Sequence, residues 1–209
     1  MNNKPNDIVL LAGFEAFAGF SVNPSAEIAR ELDGNFISGH EIKGMVLPVV
    51  FNDSAALLER AIEELNPRVV ICLGLAADRK VITPERIAVN LEHANIPDSA
   101  GLQPLESPIV PEGPAAYWST LPVQAMVEAL RKRDIPAELS LSAGAYVCNH
   151  VFYRLMHFLE GKPGIRGGFV HAPPFLEQAG SGEPVMTMDV MTNAVKVIIE
   201  TALMSADHD

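Results

Sequence analysis

Cys148 is the residue of this sequence best placed for nucleophilic chemistry. It lies in the segment Ser142-Ala143-Gly144-Ala145-Tyr146-Val147-Cys148-Asn149-His150, directly before a predicted helix over Asn149–Leu159. The free N–H groups and positive dipole of a helix amino terminus lower the pKa of a nearby thiol and can stabilise an oxyanion. Cys72 instead lies within the apolar run Val69–Leu73, which is typical of a buried strand. We therefore predict a chemical role for Cys148, with a buried structural thiol as the alternative.

Two further groups could work with this thiol. His171 follows the predicted strand Gly167–His171 at its carboxyl end, and Glu85 precedes the predicted strand Arg86–Leu91. An imidazole that accepts the thiol proton and a carboxylate that orients the imidazole are the minimum set for nucleophilic amide hydrolysis. Spacing alone leaves this a hypothesis, since a glutamate beside an arginine is typically a solvated surface residue.

The first loop carries aromatic residues where a phosphate-binding loop would carry glycines. It reads Gly13-Phe14-Glu15-Ala16-Phe17-Ala18-Gly19, without the glycine spacing of a dinucleotide loop or the lysine of a Walker loop. Phe14 and Phe17 fit a small apolar ligand or, alternatively, the core beneath the turn. His-Glu-x-x-His and other metal-ligand spacings are missing too, so we expect neither a metal nor another cofactor.

The elements that must position these residues alternate along the chain. Strands are predicted over Asp7–Ala12, Glu41–Val50, Arg68–Leu73, Arg86–Leu91, Ala137–Leu141 and Gly167–His171; helices are predicted over Pro24–Leu32, Asp53–Leu65, Val123–Arg131, Asn149–Leu159 and Met188–Met204. This alternation indicates an α/β fold, a single three-layer α/β/α domain over residues 1–209, with a twisted, mostly parallel (mixed) sheet and helices on both faces. Ligand sites of such sheets lie beyond the carboxyl ends of the strands, where the candidate residues fall.

The composition and charge of the chain disfavour some classes of binding partner. The net charge of −11 disfavours nucleic acid and anionic membranes. The longest apolar or glycine run, Val69–Ala77, has about half the length of a membrane span. A polar amino terminus without signal-peptide features, together with only two cysteines, predicts free thiols and a cytoplasmic location. The proline-rich segment Ala94–Ala116 is long enough to be a lid, a binding wall or a subunit contact.

Several motifs resemble those of type I pyroglutamyl peptidases, cytosolic cysteine peptidases that remove an amino-terminal pyroglutamyl residue from peptides. The resemblance extends over nearly the whole chain. Its motifs are Gly13-Phe14-Glu15-x-Phe17-x-Gly19 with Asn23-Pro24-Ser25, Leu47-Pro48, Gly74-x-x-Ala77, Ile82-Thr83-Pro84-Glu85-Arg86-Ile87-Ala88-Val89-Asn90, Pro97-Asp98, Gly113-Pro114-Ala115-Ala116-Tyr117, and Ser142-Ala143-Gly144-x-Tyr146-Val147-Cys148-Asn149-His150.

The resemblance implies a role for each site residue. It assigns the nucleophile to Cys148, the general base to His171 and the orienting carboxylate to Glu85. The apolar walls around the pyroglutamyl ring are expected from Phe14, Phe17, Ile96, Tyr146 and Val147. The implied partners are peptides with an amino-terminal pyroglutamate, and a homo-oligomer, tetramer or dimer, is expected because relatives are often tetramers.

The sequence departs from the family pattern at three positions. Asn95 occupies the place of an arginine thought to help stabilise the oxyanion, so the backbone N–H of Cys148 is expected to contribute more. Tyr146 replaces an expected phenylalanine and brings a hydroxyl that needs a partner. Leu75 stands where relatives often have glutamine. Two alternatives remain: another cysteine amide hydrolase, such as a glutamine amidotransferase, although the Gly-x-Cys-x-Gly turn of that class is missing around Cys148, or a binding protein that keeps the pocket without catalysis.

Overall fold

The computed structural model describes residues 5–175 and 186–204. The strands within these residues are β1 Asn6–Phe14, β2 Phe36–Ile37, β3 His40–Leu47, β4 Pro67–Leu75, β5 Thr83–Pro84, β6 Ile87–Val89, β7 Ala116–Trp118 and β8 Arg166–Ala172. The helices are α1 Pro24–Leu32, α2 Phe51–Leu65, α3 Val123–Arg131, α4 Val147–Leu159 and α5 Met188–Met204. None of these helices has the length and apolar character needed to cross a membrane.

A mixed sheet organises the molecule, with strand order β2-β3-β1-β4-β8-β5. The four central strands β3, β1, β4 and β8 run parallel, whereas β2 and β5 pair antiparallel at the two edges. Helices α1, α3 and α5 pack on one face, and α2 and α4 pack on the other. The predicted α/β/α arrangement with a mostly parallel sheet is therefore confirmed.

The central strands are apolar along their whole length because helices cover both faces. In β1, Val9 and Leu11 contact the cluster formed with α1, α3 and α5, while Leu10 and Ala12 contact the cluster formed with α2 and α4. β4 alternates in the same way, and Cys72 lies fully buried on the α2 and α4 side. Cys72 therefore belongs to the core, as predicted.

Two predicted strands differ from the structure. The segment predicted over Arg86–Leu91 contributes only β6, which pairs antiparallel with β7 in a separate two-stranded sheet. The segment predicted over Ala137–Leu141 forms isolated bridges, Ile82 with Ala137 and Glu85 with Ser140, because it pairs with a neighbour on one side only. Both segments still run beside Glu85, so they help to position this carboxylate.

Candidate active site

The carboxyl ends of the central strands bring His171 into register with its neighbours. His171 on β8 lies beside Gly74 on β4 and Thr83 on β5, since β8 is inserted between those strands. Gly74 leaves room for the imidazole: a Cβ there would lie 3.0 Å from His171 Cδ2 and 2.8 Å from two ring carbons of Phe169. The absence of a side chain at this position is therefore what allows the ring to lie against β4.

Glu85 and His171 form a buried pair. The Glu85 side chain is 0% exposed, and His171 Nδ1 donates to its Oε1 at 2.7 Å, because an ionised carboxylate can only accept. Burial alone would raise the pKa of Glu85, yet the hydrogen bond and charge of His171 and the charge of Arg79 outweigh it and lower the pKa below its ordinary value. The expectation that a glutamate beside an arginine is solvated is therefore wrong for Glu85.

Arg79, which sequence reasoning missed, contacts the same carboxylate. Its guanidinium donates to Glu85 Oε1 at 2.6 Å, to Thr83 Oγ1 at 2.5 Å and to the Ser142 carbonyl at 2.8 Å. An arginine six positions before a glutamate carries no periodic signal, because the intervening turn brings the two together. The arrangement connects the buried carboxylate to the loop that leads to Cys148.

Cys148 is the second residue of α4 and is half-buried. The helix amino terminus was expected to lower its pKa, but burial, with the negative charge of Glu85 added, raises the pKa to about 12. The positive charge of Arg79 and the backbone N–H of Cys148 act in the opposite direction and are outweighed. The free thiol therefore keeps its proton near neutral pH, and a base must remove this proton when the sulfur reacts.

A small apolar cavity opens beside this thiol. The cavity has a volume of only about 10 Å³ and is lined by Phe14, Phe17, Asn23, Val49, Leu75, Tyr146, Val147 and Cys148. The rings of Phe17 and Tyr146 stack with centroids 6.1 Å apart. Four of the predicted pocket residues, Phe14, Phe17, Tyr146 and Val147, thus lie together next to Cys148, and among the described residues no charged side chain lines the cavity.

Asn95 and Ile96 are placed differently. Both are exposed, and neither is among the residues that line the cavity. Their segment is fixed at the next two residues instead: Tyr146 Oη donates to the Pro97 carbonyl at 3.1 Å, and the buried Asp98 carboxylate accepts from the backbone N–H of Phe51. The hydroxyl of Tyr146 therefore has its partner in the Pro97 carbonyl.

A second buried histidine and carboxylate pair lies behind the cavity. His150 is 1% exposed, and its Nδ1 donates to Glu92 Oε1 at 2.5 Å. Burial, assisted by the charge of Arg154, lowers the pKa of His150 to about 4. Asn149 in turn exchanges hydrogen bonds with the backbone of Val89. These contacts tie the first turn of α4 to the chain around β6.

Side chains that could hold a metal ion do not cluster. Within residues 5–175 and 186–204, no three His, Cys, Asp or Glu side chains come close enough together to form such a site. The chemistry that this geometry supports is nucleophilic attack by the Cys148 thiol in the wall of the apolar cavity, with a buried pair of His171 and Glu85 whose carboxylate charge acts on that thiol.

Comparison with known proteins agrees with this arrangement. The family model described as pyroglutamyl peptidase matches residues 7–205. A pyrrolidone-carboxylate peptidase of Klebsiella pneumoniae is 48% identical over 197 residues, which cover 93% of this chain and 92% of that protein. The crystal structure of pyroglutamyl peptidase I from Bacillus amyloliquefaciens superposes with a TM-score of 0.92 at 43% identity, covering 95% of this chain and 98% of that one. The pyrrolidone carboxyl peptidase of Thermococcus litoralis gives 0.93 at 38% identity, covering 97% and 96%. The chain therefore belongs to the pyroglutamyl peptidase family of cysteine peptidases.

Proposed function

We propose that the chain hydrolyses the amide bond after an amino-terminal pyroglutamyl residue of peptides, with Cys148 as nucleophile, His171 as general base and Glu85 as orienting carboxylate. The observation that carries this proposal is the 2.7 Å pair of Glu85 with His171 at the sheet edge, together with Cys148 in the wall of the neutral cavity. Membership in the family supports the reaction, and the geometry supports the assignment of the residues.

The first half of the reaction forms a thioester. His171 Nε2 removes the thiol proton as Cys148 Sγ bonds to the carbonyl carbon, and the carbonyl oxygen takes up the electron pair. When the tetrahedral intermediate collapses, the C–N bond breaks and the imidazolium gives its proton to the leaving amine. The raised pKa of Cys148 fits this order, because the proton leaves the sulfur during attack and not beforehand.

The second half returns the enzyme to its starting state. Water loses a proton to His171 and adds to the thioester carbonyl, and collapse breaks the C–S bond and returns the proton to sulfur. Glu85 holds the imidazole in the Nδ1–H tautomer throughout, so that Nε2 stays available as a base. The products are pyroglutamate and the shortened peptide.

The oxyanion can be stabilised by the start of α4. The residue that precedes this helix, Tyr146, makes no side-chain capping bond, which leaves the first N–H groups of the helix without such a partner. Asn95 is exposed. We propose that the backbone N–H of Cys148 carries most of this stabilisation.

Specificity follows from the absence of charge in the cavity. A lactam has no ammonium group, so it needs apolar walls and neutral hydrogen-bonding groups. We assign the contacts with the ring to Phe14, Phe17, Tyr146 and Val147, and place Ile96 and Asn95 at the mouth of the cavity. An ordinary amino terminus would have to leave its charge unpaired there, and this disfavours free peptides.

A pyroglutamyl reporter amide tests the function directly. We expect the native protein and a Cys72→Ala control to hydrolyse the reporter. Cys148→Ala and Glu85→Gln should each have less than about a hundredth of the native rate. Wild-type turnover by Cys148→Ala would refute the assignment, and hydrolysis of glutamine or of free aminoacyl amides at the same rate would favour another cysteine amide hydrolase. Asn95→Arg, measured beside these variants, tests whether the missing arginine limits turnover.

We also propose a single-domain protein that resides in the cytoplasm and forms a homo-oligomer. Two unpaired cysteines fit a reducing compartment. The exposed Leu102 and Leu105 on the proline-rich segment supply an apolar contact surface for a dimer or tetramer. Light scattering on the native protein and on Leu105→Glu tests the assembly, because a charge at this contact would shift the oligomer towards monomer.

A further inference from the structure

Arg79 connects the two halves of the candidate active site. One nitrogen of its guanidinium donates to Glu85 Oε1 and to Thr83 Oγ1, and the other donates to the Ser142 carbonyl. The first two contacts lie on the side of the base, and the third lies on the loop that leads to the nucleophile. The Arg79 side chain is only 23% exposed, so water competes little for these bonds.

Glu85 needs this second donor. Its Oε1 accepts from both His171 and Arg79, whereas its Oε2 is buried without a hydrogen-bond partner. A carboxylate held by one donor at one oxygen can rotate about its last bond, whereas two donors at the same oxygen fix the plane of the group. Because Glu85 orients the imidazole, a rotation there would displace the base.

The backbone of Arg79 is itself anchored. Its N–H donates to the Ala76 carbonyl in a tight turn, and the Ala76 N–H donates to the Ala172 carbonyl at the end of β8. The turn that carries Arg79 is therefore hydrogen-bonded to the end of β8, and the Arg79 side chain extends from this turn to the loop before α4.

We propose that Arg79 is a positioning residue of the reaction, whose guanidinium fixes the orientation of Glu85 and its distance from the loop that presents Cys148. This inference rests on the proposed function of Glu85 and Cys148. The role requires the planar fork of an arginine, because a lysine ammonium brings the same charge but not the same directions. Loss of the planar guanidinium should therefore lower turnover more than it weakens substrate binding in the cavity.

Steady-state kinetics of Arg79→Met and Arg79→Lys with a pyroglutamyl reporter amide test the proposal. We expect Arg79→Met to lower kcat by about 100-fold with KM changed less than about threefold, since misplacement of a catalytic group costs about this much. Arg79→Lys should recover only part of the loss. A third variant, Thr83→Val, removes one acceptor of the fork and should lower kcat by a smaller factor.

Arg154 provides a matched control for general stability. It is 26% exposed, and its two side-chain hydrogen bonds go to Glu59 on α2. Arg154→Met should lower the melting temperature without lowering kcat. A kcat of Arg79→Met within threefold of the native value, a kcat of Arg79→Lys equal to the native value, or an equal kcat loss in Arg154→Met would overturn the proposal. If Cys148→Ala or Glu85→Gln stays active in the same assay, the proposed function itself has failed.

Discussion

The buried pair of His150 and Glu92 makes a prediction about acid stability. His150 lies in the first turn of α4, donates to Glu92 and has its other ring nitrogen buried without a hydrogen-bond partner. Protonation of this nitrogen in the folded protein would place a charge among apolar groups, including the edge of the Phe51 ring. The folded state therefore binds this proton less readily than the unfolded state does.

The pKa values of His150 in the unfolded and folded states give the direction and the magnitude of the change in folding stability. The pKa of His150 falls from 6.5 to about 4 on folding, so the unfolded state takes up a proton first as the pH falls below about 6.5. Each pH unit within this window costs up to about 1.4 kcal/mol, which gives about 2 kcal/mol between pH 7 and pH 5. The pKa of Glu92 is raised by burial, so the folded state takes up this proton more readily than the unfolded state as the pH falls towards 4.5, which acts in the opposite direction.

Urea unfolding of the native protein and of His150→Gln, followed by circular dichroism at pH 7, 6 and 5, measures this contribution. Glutamine can still donate to Glu92 but does not titrate. The native protein should lose about 2 kcal/mol more than the variant between pH 7 and pH 5, and titration of groups that do not contact His150 cancels in the difference. A difference that stays constant within about 0.5 kcal/mol would show that His150 does not resist protonation, and would refute the reasoning.

Three further predictions concern the site itself. Gly74→Ala should lower kcat by about tenfold or more, because its Cβ would displace the His171 imidazole that we propose as the base, whereas Gly161→Ala, where a Cβ meets nothing within 4 Å, should leave kcat unchanged. Tyr146→Phe should raise KM for a pyroglutamyl amide by about fivefold through loss of one hydrogen bond, and an unchanged KM would show that the hydroxyl does not hold the wall of the cavity. The alkylation rate of Cys148 by iodoacetamide should keep rising above pH 9, since its pKa is raised to about 12, and should be the same in Cys72→Ser; a plateau near pH 7 would contradict the raised pKa.

The elements with strong local signals could be predicted from the sequence. α1 begins at Pro24 behind the capping residue Asn23, as the sequence predicted, and α3 and α5 also have their predicted bounds. The buried face of α2 does not follow from its apolar residues alone: Ala56 and Leu57 are exposed, while Phe51, Leu58 and Ile62 are buried. The apolar periodicity predicted the helix but not which of its faces packs against the core, because several small or apolar residues lie around its circumference.

The residues of the candidate site could be predicted from the sequence, but their burial, contacts and pKa values could not. Position at strand and helix ends identified Cys148, His171 and Glu85 as candidates, and the structure brings Glu85 and His171 into contact. Burial of Glu85, the raised pKa of Cys148 and the contacts of Arg79 depend on tertiary packing, which no local pattern encodes. The pair of His150 with Glu92 joins residues 58 positions apart and has no sequence signature.

Because β8 lies between β4 and β5, we expect peptidase activity to appear only when the sheet is complete during folding. β8 supplies His171, and its partner Glu85 lies 86 positions earlier in the chain. Contacts of such sequence separation form late, because the entropy of closing a long loop must be met before they contribute. An intermediate that lacks β8 would lack His171, the base that we propose for the reaction, and would be inert towards pyroglutamyl peptides. Recovery of peptidase activity during refolding therefore reports the completion of the sheet, with no added probe.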